Sequence, residues 1–414
     1  MGEDVGWRDG RCYRLVPPTD RPEAAAGARG PAHPHQEDTM TPTVGVVGGG
    51  QLARMMIAPA VELGIGIRVL AEADGMSAGL AATAIGDYQD LDVVRAFARD
   101  VDVITFDHEH VPQHVLRALV AEGVAVHPGP DALLVAQDKL LMRERLEQLG
   151  VPVPIWARVA DREALAAFLA ENGGVAVVKT PRGGYDGKGV RVVRSADEAG
   201  DWFDALGAGD ALLAEELVDY ARELAQSVAR RPSGDIAAWP VVESIQRDGV
   251  CAEVIAPAHG ASARLREAAE GMARGIAEGL GVTGVLAVEL FETVDGRLLV
   301  NELAMRPHNT GHWSMDGAVT GQFEQHLRAV LDLPLGSTRP LAPWSVMINV
   351  LGGPETGTVA DRYPRALADQ PEARFHFYGK DPRPGRKVGH VTVVGDDLDE
   401  TAYRARAAAA FFRG

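Results

Sequence analysis

The apolar positions of this chain fall into two periods, and their alternation predicts most of its elements. From Thr43 a continuous apolar run, TVGVVG, predicts a buried strand, and the glycines after it predict a tight turn. Gln51–Leu63 has helical spacing and is ended by Gly64, after which IGIRVLAEA predicts a second strand. A helix pattern over Leu91–Arg99 precedes another strand, VDVITFD (101–107). This alternation predicts an open parallel sheet over about 95 residues.

Further along, Asp138–Leu149 reads as a helix stopped by Gly150 and two prolines. Strand VAVVK (175–179), a glycine-rich loop and strand VRVV (190–193) follow, then a longer α+β stretch to about Leu335. The remainder reads as short strands and turns, a small β-rich C-terminal region, closed by an Ala-rich helix over 401–412. Residues 1–39 are rich in Pro, Gly, Ala and charge and show no periodicity. They are expected to form a disordered extension or to precede the true start at Met40.

Composition narrows the function. The 414 residues suggest two or three domains. The net charge of −17 argues against nucleic acid as a partner, because phosphate binding needs a basic footprint. No apolar stretch approaches the roughly 18 residues of a membrane span, so no membrane partner is expected. Two cysteines, Cys12 and Cys251, form neither a disulfide framework nor a metal knuckle, which fits a cytoplasmic setting. Only five of the 41 basic residues are lysine: Lys139, Lys179, Lys188, Lys380 and Lys387. If arginine has replaced lysine wherever either would serve, these five mark places that need a compact ammonium.

Four signals carry candidate chemistry. Gly48, Gly50 and Ala53 satisfy G-x-G-x-x-A between a strand and a helix, with Glu72 about 20 residues on, as in dinucleotide-binding folds. A nicotinamide or flavin cofactor, another phosphorylated ligand and a simple packing turn all remain open at this point. The second glycine loop, TPRGGYDGKG, lies between two strands and opens no helix, so it is not a P-loop. Lys179 stands before it in an apolar strand, where a phosphate would offset the cost of a buried ammonium.

The third segment, ELFETVDGRLLVNEL, reads as a hairpin with Asp295-Gly296 as a two-residue turn. That register sets Glu289 opposite Glu302, and two facing carboxylates among apolar neighbours suit a hard cation such as Mg²⁺. The fourth signal is basic. Arg306, His308, Asn309 and His312 cluster just after the hairpin and suit a small oxyanion. KDPRPGRKVGH (380–390) adds Lys380, Arg383, Arg386, Lys387 and His390, a local basic turn that suits a phosphate.

Together these segments resemble the ATP-grasp family that makes 5-(carboxyamino)imidazole ribonucleotide in purine biosynthesis. The resemblance spans about residues 43–395, through GGGQLARMM, TFDHEHVP, QDK, VVKTPRGGYDGKG, EELV, NELAMRPHNTGHW, QFEQHLRAVLDLPL, PWSVMINVLG and KDPRPGRKVGH. It implies an α/β and α+β chain with four parts. These are the extension 1–39, a Rossmann-like pre-ATP-grasp domain (40–136), an ATP-grasp domain (137–336) and a β-rich C-terminal domain (337–414).

The implied reaction joins bicarbonate to 5-aminoimidazole ribonucleotide with ATP, by way of carboxyphosphate, in a homodimer. By the match, Lys139 and Lys179 hold ATP phosphates, and the loop Gly183, Gly184, Tyr185, Asp186, Gly187, Lys188 and Gly189 folds over them. Glu215, Glu216 and the Val218 backbone meet adenine, Glu223 the ribose, and Asn301 lies beside the nucleotide. Glu289 and Glu302 take Mg²⁺, while Arg306, His308 and Asn309 orient bicarbonate. Gly50, Gln51 and Leu52 face the imidazole nucleotide, Glu109 reaches its ribose, and Lys380, Arg386 and Lys387 bind its phosphate. Lys380 also counts among the catalytic candidates. Tyr185 and Asp186 approach the imidazole, with Asp186 handling the amine proton.

Asp107 and Met305 depart from the family pattern, as do Ser244 and Gln246 near the expected ATP contacts. A formate-dependent glycinamide ribonucleotide transformylase is the alternative within the fold, and a nicotinamide oxidoreductase the alternative outside it.

Overall fold

The computed structural model describes residues 5–8, 11–14, 41–183, 189–247 and 249–413. In the stretch expected to lack regular structure, Val5–Arg8 and Arg11–Arg14 pair antiparallel, with Trp7 opposite Cys12. Asp9-Gly10 between them is a strong two-residue turn signal that the composition of residues 1–39 obscured.

Beyond residue 40, the first sheet is parallel. Its strand order is Ala82–Ile85, Gly66–Ala71, Thr43–Val47, Val103–Phe106. Val44, Val46 and Val47 are fully buried, as a strand covered on both faces requires. Helix Gln51–Leu63 leaves the first strand through the glycine turn and packs Leu52, Ala53, Met55 and Met56 inward.

A four-stranded antiparallel sheet follows, in the order Trp156–Val159, Leu212–Glu216, Ala176–Lys179, Val190–Val193. Leu165, Phe168 and Leu169 of helix Arg162–Glu171 cover one face of it.

The largest sheet has nine strands. Eight run in the order Leu298–Ala304, Gly284–Thr293, Tyr220–Arg230, Val242–Arg247, Val250–Ala256, Trp344–Leu351, Lys387–Gly395, Arg374–Phe377, and Ile236–Ala238 pairs with Tyr220–Arg230. The C-terminal strands therefore continue this sheet, through pairs such as Glu253 with Ile348. Val250–Ala256 would otherwise present an unpaired edge, and pairing satisfies its backbone groups. The Ala-rich helix runs over Leu398–Ala410, three residues earlier at its start than its composition suggested. Asp397 caps it by accepting from the Glu400 amide, and its alanines let it lie close against Val346, Val391 and Val393.

The acidic hairpin reaches its predicted pairing by an unexpected route. Its loop holds three residues, Val294, Asp295 and Gly296, with Thr293 N–H donating to the Arg297 carbonyl at 2.9 Å and Gly296 at φ 80°. Leu290 accordingly faces Val300, one place off the two-residue register. A bulge at Asn301 then restores it, and Glu289 faces Glu302. The loop supplies one residue more than expected and the bulge absorbs one, so the two departures cancel at the carboxylates.

Candidate active site

Lys139 begins helix Lys139–Gln148, whose N-terminus is capped by Asp138 accepting from the Leu140 and Leu141 amides. Its Nζ lies 2.8 Å from Glu302 Oε1. Lys179 ends its strand, with Nζ 2.7 Å from Glu215 Oε2 and 3.2 Å from Asn301 Oδ1. Glu215 is almost wholly buried, and its other oxygen accepts from Arg143 Nε at 2.6 Å. Burial pushes the Glu215 carboxyl up, but Arg143 and Lys179 more than reverse this and hold it ionised.

Arg143, itself without solvent exposure, also donates to the Asn301 carbonyl at 2.8 Å, at the bulge. The small sheet and the acidic hairpin are thus tied across one cleft. Nothing in the spacing of Arg143 along its helix announced this role.

Glu216 accepts from the Ile155 amide at 2.9 Å, and half-buried Val218 lies just beyond its strand. Glu223 stands on Tyr220–Arg230, where burial raises its carboxyl and the Tyr220 hydroxyl donates to it at 3.2 Å. Gly183 and Gly189 flank the second loop. Gly184, Tyr185, Asp186, Gly187 and Lys188 lie outside the described residues.

The donor set at the hairpin fits a hard divalent cation. Burial, with the charges of Glu302 and Glu223 added to it, pushes Glu289 up to about 8. Desolvation also raises Glu302, whose side chain is partly exposed, but Lys139, with Lys179 and Arg143, outweighs it and holds the carboxyl low. Among the described residues no cluster of three or more His, Cys, Asp or Glu is arranged to hold a metal. Two carboxylates without a third side-chain ligand would suit Mg²⁺, which keeps several water or phosphate ligands.

The loop after the hairpin lies between two sets of groups. His308 Nε2 is 3.6 Å from Glu289 Oε1, while Arg306 Nε is 2.8 Å from Glu109 Oε2. Burial, helped by the charges of Arg306 and Lys387, pushes the His308 imidazole well down, so it is neutral at pH 7. Asn309 Nδ2 is buried with no hydrogen-bond partner among the described residues. A guanidinium, a neutral imidazole and an unsatisfied amide suit a small oxyanion.

At the first glycine turn the helix N-terminus already faces a carboxyl group of the protein. Asp107 Oδ1 accepts from the Ala53 amide at 2.8 Å, and a Cβ on Gly50 would come within 1.9 Å of Asp107 Oδ2. The protein's own carboxylate therefore fills the anion position at the helix N-terminus. Glu72, which would hold a dinucleotide ribose, instead accepts from the Gly49 amide at 2.9 Å and sits 3.5 Å from His108. The dinucleotide motif is present in sequence and occupied in structure.

Beside it lies a cavity of about 230 Å³ lined by Gly50, Ser77, Gly379, Lys380 and Arg386, among others. Lys380 Nζ donates to Gln51 Oε1, whereas Leu52 turns into the core. Lys387 follows Arg386 in the chain, and its charge is felt at Glu289, His308 and His312.

Residues 40–137 match the ribonucleotide synthetase preATP-grasp domain, 144–323 the ATP-grasp domain, and 345–404 the phosphoribosylaminoimidazole carboxylase C-terminal domain. An N5-carboxyaminoimidazole ribonucleotide synthase from Mycobacterium bovis is 51% identical over 391 residues, covering 93% of this chain and 90% of its own. The chain belongs to the N5-carboxyaminoimidazole ribonucleotide synthase family. The synthase of Corynebacterium ammoniagenes is 49% identical over 378 residues, covering 89% of this chain and 92% of its own.

Among solved structures, the Thermus thermophilus synthetase superposes with a TM-score of 0.80 at 37% identity, covering 90% of this chain and 98% of that one. An Aspergillus clavatus synthase in complex with ADP and 5-aminoimidazole ribonucleotide gives 0.80 at 30% identity over the same shares. Like its family, the chain is an ATP-dependent ligase of ATP-grasp fold, with a Rossmann-like parallel sheet before it and a small C-terminal domain after it.

Proposed function

We propose that this protein uses ATP to join bicarbonate to the exocyclic amine of 5-aminoimidazole ribonucleotide, releasing ADP and phosphate. The observation that carries the reading is the position of the loop after the acidic hairpin. It reaches Glu289 through His308 on one side and Glu109 through Arg306 on the other. A bicarbonate held there would lie between the ATP side and the nucleotide side of the cleft.

Lys139 and Lys179 are placed to neutralise ATP phosphates, one on a helix N-terminus and one at a strand end. Mg²⁺ held by Glu289 and Glu302 would supply charge neutralisation on the phosphates. A bicarbonate oxygen takes the γ-phosphoryl group, ADP leaves, and carboxyphosphate forms. Arg306 and Asn309 hold the carboxylate oxygens, and His308, neutral, donates or accepts without adding charge. The amine then takes the carboxyl carbon, phosphate departs, and the amine loses a proton. Glu109 is assigned to the nucleotide's ribose, and Lys380 and Arg386 at the cavity to its phosphate. Lys387, next to Arg386, is assigned to the same phosphate, and its charge also reaches His308. Family membership supports a homodimer in the cytoplasm; sedimentation tests the first part.

Phosphate release tests the reaction. ATP turnover should require both 5-aminoimidazole ribonucleotide and bicarbonate, and should collapse in Arg306→Ala. Turnover indifferent to either substrate, or unchanged in that variant, would reject the assignment.

A further inference from the structure

We infer that Gln322 is a positioning residue for the bicarbonate loop, an inference that rests on the loop's assignment given above. Gln322 opens helix Gln322–Val330 and has no solvent exposure. Its carboxamide grips the backbone of His308 at both polar atoms. His308 N–H donates to Oε1 at 2.8 Å, and Nε2 donates to the His308 carbonyl at 2.8 Å.

Those two contacts leave no freedom in the amide's orientation, because a backbone N–H only donates and a carbonyl only accepts. The second Nε2 hydrogen then meets His312 Nδ1 at 2.7 Å, which makes that nitrogen an acceptor and puts the ring proton on Nε2. The helix end is anchored in turn. Ser314 Oγ accepts from the Gln322 amide at 2.9 Å and donates to the Gly311 carbonyl at 2.6 Å.

One buried side chain thus holds the backbone between Arg306 and Asn309 by a two-point clamp. Arg306 and Asn309 lie two residues and one residue from the clamped unit, so their side chains start from a defined backbone. Binding an oxyanion in such a site depends on donors placed before the ligand arrives. Two contrasts point to the loop as the clamp's purpose. Gln325, in the same helix and equally buried, spends its amide on Gly336 and touches nothing in the site. The loop itself restrains His308 only from its own C-terminal side, through the Gly311 N–H donating to its carbonyl at 3.0 Å and a 2.9 Å contact between its Nδ1 and Thr310 Oγ1, and neither holds the His308 N–H.

The test uses Gln322→Met, which keeps volume but removes every hydrogen bond, and Gln322→Glu, which keeps the acceptor for His308 N–H and loses both donors. Initial rates are measured in carbonate-depleted buffer with bicarbonate, ATP and 5-aminoimidazole ribonucleotide varied in turn. Leaving the buried His308 N–H and His312 Nδ1 without the Gln322 amide, and the His308 carbonyl with the Gly311 N–H alone, should cut kcat/KM for bicarbonate about 30-fold in Gln322→Met. Gln322→Glu should fall between Met and the parent, and KM for ATP should stay within about twofold in both.

A parallel Arg306→Ala arm separates the two ideas. If Arg306→Ala weakens bicarbonate use and the Gln322 variants do not, the clamp is rejected and the loop assignment stands. If neither affects bicarbonate, the loop assignment falls and the clamp falls with it. Equal losses for all three substrates, or failure of both Gln322 variants to fold, would make Gln322 a general structural residue and overturn the inference.

Discussion

The two walls of the ATP cleft each carry a glutamate, Glu215 fully buried and Glu289 half-buried, and the two are in opposite electrostatic states. Glu215, on the small sheet, lies between Arg143 and Lys179 and is held as a carboxylate. Glu289, on the large sheet, faces Glu302 across the hairpin, feels Glu223 as well, and is pushed up to about 8. Burial acts on both in the same direction, so it does not separate them. The difference is the sign of the neighbours. The small-sheet wall is complete within the protein, and its charges position Lys179. The large-sheet wall is left short of positive charge, which a cation arriving with the nucleotide can supply.

The largest test of that contrast is Arg143→Met. Removing one partner from a buried ion pair leaves Glu215 with Lys179 alone and strips the bulge carbonyl of its donor. Urea unfolding should show a loss of about 3–5 kcal/mol. A loss well under 1 kcal/mol would mean the small-sheet wall is not held together as described.

Glu289→Gln attacks the other wall. It removes an anionic ligand without changing shape, and kcat should fall about 100-fold, a little under 3 kcal/mol of barrier. The same variant should be no less stable than the parent in the absence of Mg²⁺, because glutamine sits beside Glu302 without a carboxyl that must be kept protonated. A glutamine that cost stability and spared activity would reverse the reading.

The third test is linkage. The folded-state pKa of Glu289, about 8, lies above its ordinary value of 4.5. Its contribution to stability is therefore full below about pH 4.5 and is lost as pH rises toward about 8, since the folded state alone holds the proton in that window. At pH 7, binding of Mg²⁺ should displace that proton. Calorimetry in buffers of different ionisation enthalpy should find about one proton released, and none in Glu289→Gln.

The smallest effect belongs to Tyr220→Phe. It removes one half-exposed hydroxyl from Glu223, and KM for ATP should move by less than about threefold. A larger change would show that Glu223 depends on this neighbour more than its burial implies.

Much of this was legible from the chain. Helix Gln51–Leu63 appears with the predicted bounds because glycine at the turn and at the far end punctuates it. The scarcity of lysine pointed at chemistry. Lys139, Lys179 and Lys380 each meet a polar group of the cleft, and the charge of Lys387 acts on Glu289 and His308. The facing carboxylates are legible in the sequence too, although a three-residue loop and a bulge, rather than a two-residue turn, bring them together.

What escaped the sequence were contacts between residues far apart along it. Arg143 and Glu215 are 72 residues apart, and Ala53 and Asp107 are 54 apart. Gln322 looks like any polar residue at a helix start, and only the fold brings His308 and His312 to its amide.

The sequence by itself determined the local elements, the order of the domains, and which residues have the chemistry for phosphate, cation and oxyanion. Period, turn residues and side-chain type are local properties and need no tertiary information. Tertiary structure decided which of those groups are already satisfied and which remain to act. It closed the first glycine turn with Asp107, balanced the charge of Glu215, set Glu289 against Glu302, and left Asn309 Nδ2 with no hydrogen-bond partner among the described residues. The physical reason is that the state of a polar group depends on its burial and on the charges and donors within a few ångströms, and those come from chain segments that only folding brings together.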